Sequence, residues 1–203
     1  VAAVNFGGAA ENPFCASRFA PGVLPWFGGE LEGFVERAMV PRVRLQILGP
    51  QGSGKSTLMV QLERRARRAG WSVVRVRGSG TIDWGANARL WLVDEYEELS
   101  WWQRVRLRWL CARQRVSLVV TAHRDVGMTT LCERTVSPEI ARRVVAELVA
   151  ERGQLPVPGP VEVAAALGRH AGNLREVLFE LYDQVERNAA NSGRVGPAVD
   201  AAG

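Results

Sequence analysis

The chain has 203 residues, 47% of them hydrophobic, with a formal net charge of +5 and an isoelectric point near 9.8, enough to bury one substantial core and a small second lobe. No apolar run reaches the ~18 residues that a membrane span requires, and no charged-then-apolar signal segment opens the sequence, so the expected location is the cytoplasm. Cys15, Cys111 and Cys132 lack metal spacing and the two histidines, His123 and His170, stand near none of them, which argues against a disulfide framework or a zinc site.

Residues 1–29 mix glycine, proline and aromatic side chains without periodicity, which predicts an extended segment packed on the surface. Leu31, Phe34, Val35, Ala38 and Met39 then share one face of a short helix closed by Pro41. Val43, Leu45, Ile47 and Leu48 predict a strand; Arg44 and Gln46 interrupt it, so one face of the sheet is expected to be less covered there. Gly49 to Thr57 follow in the form GxxxxGK[ST], and Leu58, Met59, Leu62, Ala66 and Ala69 recur at helical spacing until Gly70.

Trp71 to Arg77 alternates apolar and polar residues like an edge strand, whereas Leu90 to Val93 and Val116 to Val120 are continuous apolar runs, as in central parallel strands covered on both faces. Between them Ser100 and Gln103 form a capping box that opens a helix. Ser137-Pro138-Glu139 starts another, with Ile140, Val144, Val145, Leu148 and Val149 as its stripe, and Gly153 with Pro156 to Pro160 ending it. A short helix around Val163 to Leu167 and a third from Asn173 complete a carboxy-terminal lobe, and the small polar residues from about Ala189 predict a mobile tail.

The chemistry is concentrated at the ends of the predicted strands. Lys55 is the single lysine among 26 basic residues, and it stands in the glycine-rich loop. A compact ammonium reaches between the β- and γ-phosphates of a nucleotide where a planar guanidinium is too wide. Around it Gly49, Pro50, Gln51, Gly52, Ser53, Gly54, Ser56 and Thr57 complete a loop whose backbone N–H groups turn onto phosphates at a helix N-terminus, and the Ser56 hydroxyl is a ligand for Mg²⁺.

The run Leu90-Trp-Leu-Val-Asp94-Glu95 reads as a Walker B motif: an apolar strand delivering Asp94 to hold Mg²⁺ and Glu95 to activate the attacking water. Glu97 and Glu98 read as solvated residues approaching the next helix. At the tip of the neighbouring strand, Thr121 or His123 is placed to contact the γ-phosphate, with Thr121 the preferred contact and His123 a relay or positioning group. Arg124 or Arg134 is a candidate arginine finger toward a neighbouring subunit. Arg175 falls in the first turn of the last helix, where the dipole disfavours a cation, so an anion is expected to compensate it: a nucleotide phosphate, or Glu176 or Glu180.

These motifs together resemble an AAA+ ATPase: Gly49 to Thr57 match Walker A, Leu90 to Glu95 Walker B, Thr121 the first sensor, and Gly172 to Arg175 the second-sensor helix of the lid. Asn12-Pro13-Phe14 resembles the stretch that opens small AAA ATPases of secretion and transposition systems. The resemblance implies a P-loop NTPase α/β fold, a parallel sheet with helices on both faces plus a small carboxy-terminal helical lid. It implies adenine lying between the amino-terminal segment and the lid, and a homo-oligomer in which a neighbouring subunit completes catalysis. The corresponding division is residues 1–40 for an amino-terminal segment and helix, 41–136 for the ATPase core, 137–188 for the lid and 189–203 for a flexible tail. The chain departs from the family in having no helix between Gly78 and Ala88 and too short a segment before Leu131 for a finger-bearing helix, which argues against a protein-threading hexamer.

The expected function is therefore an ATP- and Mg²⁺-dependent motor or switch that hydrolyses ATP while acting on a macromolecular partner. The alternatives are a small-molecule kinase or other phosphotransferase, and a non-hydrolysing nucleotide-gated interaction module. Arginine clusters at residues 64–68 and 104–115 make nucleic acid one candidate partner and a protein the other.

Overall fold

A computed structural model describes residues 12–150 and 158–192. Five parallel strands, β1 (Arg44–Leu48), β2 (Val73–Arg77), β3 (Leu90–Asp94), β4 (Ser117–Ala122) and β5 (Thr129–Glu133), form one sheet in the order β2-β3-β4-β1-β5. The two continuous apolar runs become β3 and β4, which neighbour each other inside the sheet and are almost wholly buried. Helices α1 (Leu31–Ala38) and α2 (Lys55–Arg68) cover one face, with Leu58, Met59 and Leu62 packed on Ile47, Leu92 and Val119. Helix α3 (Trp101–Gln114) covers the other, where Leu107, Leu110 and Cys111 meet Trp91, Leu118 and Val120. Strand neighbours alternate between these two cores, as the period of two requires. The α/β P-loop NTPase architecture follows: a parallel sheet with helices on both faces.

The face of β1 interrupted by Arg44 and Gln46 is exposed at Arg44, as expected, but covered at Gln46. Gln46 is 1% exposed and uses its whole amide. Its Nε2 donates to Asp125 Oδ1 at 2.9 Å and Thr130 Oγ1 at 3.0 Å, while Oε1 accepts the backbone N–H groups of Val126 at 3.0 Å and Met128 at 3.4 Å. A polar side chain satisfied in this way holds the loop between β4 and β5 against the sheet rather than exposing the sheet to water. Strand β5 itself has no counterpart in the sequence reading; its Thr-Thr-Leu-Cys-Glu sequence buries Leu131 alone.

Helices α4 (Pro138–Ala150), α5 (Pro160–Arg169) and α6 (Leu174–Ser192) build a separate core from Val145, Leu148, Val163, Leu167, Val177 and Leu178. Pro160 begins α5, with Glu162 accepting the Gly159 N–H, whereas Gly153 and Pro156 lie outside the described residues. Helix α6 continues past Ala189 to Ser192, and the remainder of the predicted tail also lies outside them. The aperiodic amino-terminal stretch does not simply lie on the surface: Phe14, 2% exposed, belongs to this lid core, and Asn12 is buried with it. Among the described residues no helix is long and apolar enough to cross a membrane.

Candidate functional site

The loop between β1 and α2 has the conformation its glycines permit. Gly52 and Gly54 take left-handed φ values of +72° and +86°, which cost other residues steric energy. A Cβ on Gly52 would lie 1.9 Å from Asn173 Oδ1, so this loop also packs on the approach to α6. Helix α2 starts at Lys55 with no side-chain cap, leaving its first N–H groups directed into the loop. Lys55 is 8% exposed and its Nζ donates to the carbonyls of Gly49 at 2.6 Å and Pro50 at 2.8 Å. Burial lowers the ammonium's pKa, and the negative field of Glu97, Asp94 and Glu95 partly offsets that effect.

Asp94 ends β3 and Glu95 follows it in a left-handed conformation, φ +58°. Thr121, fully buried on β4, bridges the two: its Oγ1 donates to Asp94 Oδ1 at 2.6 Å and accepts the Glu95 N–H at 2.8 Å. Both hydrogen-bonding directions are thus spent on the acids, and Thr121 does not line the cleft. His123 does line it. Glu97 accepts the His123 backbone N–H, with its Oε1 3.4 Å from Nδ1. The Glu95 carboxylate is held by Arg77 through two bonds, Nε to Oε2 at 2.6 Å and Nη2 to Oε1 at 3.0 Å. These hydrogen bonds from Arg77 are the leading cause of a lowered Glu95 pKa, which burial opposes and Arg175 and His123 reinforce.

The glycine loop, Asp94, Glu95, His123, Arg134 and Arg175 line one cleft, closed on its other side by apolar residues including Leu24, Trp26, Phe27, Val136, Ile140 and Leu178. Arg175 reaches it from the first turn of α6 and makes no ion pair among the described residues; Glu180 is instead paired with Arg169 and His170. Asn173 accepts the Arg175 N–H at 3.1 Å, as an N-cap does. Arg134 faces its own chain: it lies 4.7 Å from the Trp26 ring centroid, donates to Gly28 O at 3.3 Å, and burial lowers its pKa. Arg124 is exposed.

Two buried polar atoms in the cleft wall, Ser53 Oγ and Arg134 Nε, lack hydrogen-bond partners among the described residues. Together with Lys55 and Arg175 they fit a polyanion, and the apolar wall fits a flat ring. Ser56 and Asp94 offer the oxygen atoms that Mg²⁺ prefers. No cluster of three or more His, Cys, Asp or Glu among the described residues suits a metal by itself, so a cation here would complete its shell with phosphate oxygens and water.

Sequence reasoning did not find Arg77, Glu97, or the faces that Trp26 and Arg134 turn to the cleft. Arg77 meets the acids because β2 and β3 pair in parallel with Arg77 opposite Asp94. Once β2 is set beside β3, the position is readable; the linear sequence does not show that adjacency.

No family model matches the chain, and no curated protein matches it. Solved structures do. The replication initiator DnaA bound to AMPPCP and single-stranded DNA superposes with a TM-score of 0.56 at 15% identity, over 79% of this chain and 63% of that one. AMPPCP-bound DnaA from Aquifex aeolicus gives 0.56 at 16% identity, over 86% and 70%. NtrX from Brucella abortus in complex with ATP gives 0.56 at 16% identity, over 89% and 56%. The chain spans less than two-thirds of the first of these proteins. DnaA and NtrX are AAA+ ATPases, and at these identities the likeness speaks for architecture alone. With these superpositions and its own glycine loop, β2-β3-β4-β1-β5 sheet and three-helix lobe, this chain has the fold of an AAA+ P-loop ATPase.

Proposed function

We propose that the chain binds ATP with Mg²⁺ in this cleft and hydrolyses it as a motor or switch acting on a macromolecular partner in the cytoplasm. One observation carries the reading: Lys55 and Ser56 from α2, Asp94 at the end of β3 with Glu95 just after it, and Arg175 from α6 all reach the same cleft. The phosphates sit on the N–H groups at the start of α2, where the dipole favours an anion. Lys55 exchanges its two loop carbonyls for β- and γ-phosphate oxygens. Ser56 and Asp94 would hold Mg²⁺, which would neutralise charge on the phosphates.

Glu95 accepts a proton from the water whose oxygen attacks the γ-phosphorus, and ADP leaves. To do so its carboxylate must leave Arg77, because a carboxylate bound twice to a guanidinium is a poor base. Arg175 answers the charge of the γ-phosphate, Thr121 acts through Asp94, and the apolar wall around Trp26 receives the base.

Phosphate release measured without any acceptor, with Lys55→Ala as control, tests the proposal. ADP formation that needs an added acceptor, without free phosphate, identifies a phosphotransferase. The Arg77–Glu95 pair favours a second reading, a nucleotide-gated module that does not turn over; binding without release identifies it. The DnaA structure containing single-stranded DNA supports nucleic acid as the partner class.

A further inference from the structure

Helix α3 buries Leu107, Leu110 and Cys111 and turns an aromatic face to solvent. Trp101, Trp102, Val105 and Trp109 are 63%, 73%, 42% and 61% exposed. Three tryptophans exposed on one helix are an unpartnered surface of a kind that marks an interaction site. Trp102, Arg106, Trp109 and Arg113 follow one another along a single row at helical spacing, which sets Trp102 and Trp109 about 10 Å apart along the axis.

The charges on this helix are all of one sign. It carries Arg104, Arg106, Arg108 and Arg113 and no acidic residue. Arg104 is used internally, donating to the carbonyls of Leu99 and Glu97, and so is Arg108, which donates to the Tyr96 hydroxyl and Val126 O. Arg106 and Arg113 instead lie against indoles, 4.6 Å from the Trp84 centroid and 5.5 Å from that of Trp109. The acids nearest in sequence, Glu97 and Glu98 before it and Asp125 after it, are not on the helix.

We propose that this face binds single-stranded nucleic acid, with unpaired bases stacked on Trp102 and Trp109 and phosphates met by Arg106 and Arg113. Each nucleotide supplies a flat ring and an anion together, matching the alternation of indole and guanidinium along the row. A purely apolar protein surface would bury the same two arginines without an answering charge. A duplex keeps its base faces stacked and closed to the indoles. The inference names the partner left open in the ATPase reading, but binding is measured without nucleotide, so failure of either leaves the other standing.

The test is fluorescence anisotropy of a labelled oligo(dT) 20-mer with the full chain at two salt concentrations. Binding is expected at low salt, falling with a log–log slope of about −0.7 per phosphate contact. W102A and W109A should each weaken it about tenfold, and W102F should restore most of it. R106Q/R113Q, which leaves the indoles in place, should make the slope shallower by about 1.4. All these groups lie on the outer face of α3, so melting temperatures should stay at the wild-type value. The proposal is overturned by no oligonucleotide binding at low salt, by full binding in W102A/W109A, or by a duplex of equal length competing equally well. It is also overturned if W102A/W109A converts a sedimenting oligomer to monomer, which would identify the face as a protein contact.

Discussion

At Glu95 two demands meet in one carboxylate: it must accept a proton, yet Arg77 holds both its oxygens. Glu95→Gln keeps the shape and removes the base, so nucleotide should still bind while turnover falls by about 10²–10⁴-fold, read as phosphate release. Arg77→Ala has a signed effect on pH dependence. Arg77 is the leading cause of the lowered Glu95 pKa, so its loss lets that pKa rise toward the ordinary carboxylate range. The base then becomes protonated sooner on acidification, and the acid limb of kcat should move to higher pH, with unchanged limbs showing that Arg77 does not govern the base. Lys55→Ala removes the buried cation of the glycine loop and should weaken ATP binding by about ten- to a hundredfold in a calorimetric titration.

Among the elements, β1 depends on a side chain that its hydrophobic pattern marks as a defect. Gln46→Leu leaves the Val126 and Met128 N–H groups and the Asp125 carboxylate without this partner. Stability should drop by at least about 2 kcal/mol in urea unfolding, with faster amide exchange at Val126 and Met128. Gln46 also shows what a sequence conveys and what it withholds. β3, β4 and the strand–loop–helix unit were legible because continuous apolar runs and the Gly49 to Thr57 motif are local signals. β5 was not: one buried leucine between threonines is too weak a pattern, and the strand owes its place to pairing with β1 across a register shift. Glu97 read as a solvated approach to α3, because only the folded chain brings it under His123. That Asp94, Glu95 and Lys55 gather at the strand ends was legible from their motifs, and they line one cleft, while the occupation of Thr121 by Asp94 depends on two strands meeting.

For the molecule as a whole, residues 12–29 matter more than their lack of pattern suggests. Asn12 Nδ2 donates to Tyr182 O at 3.1 Å and Glu186 Oε1 at 2.9 Å on α6, and Phe14 is buried among the lid helices. Further on, Gly22 approaches α2 so closely that a Cβ would lie 2.3 Å from Val60 Cγ1, and Trp26 lies against Arg134 at the end of β5. Asn12→Ala should therefore cost about 1–3 kcal/mol and weaken ATP binding although Asn12 does not line the cleft; a thermal melt combined with a nucleotide titration checks both. In mechanical terms, the lid is joined to the sheet along two routes, through the chain after β5 and back through this segment, and the two close a ring. A lid on one hinge swings freely. In a closed linkage a displacement of α6 pulls on this segment, so the close approach of Gly22 to Val60 and the packing of Trp26 on Arg134 tie the lid to the apolar wall of the cleft.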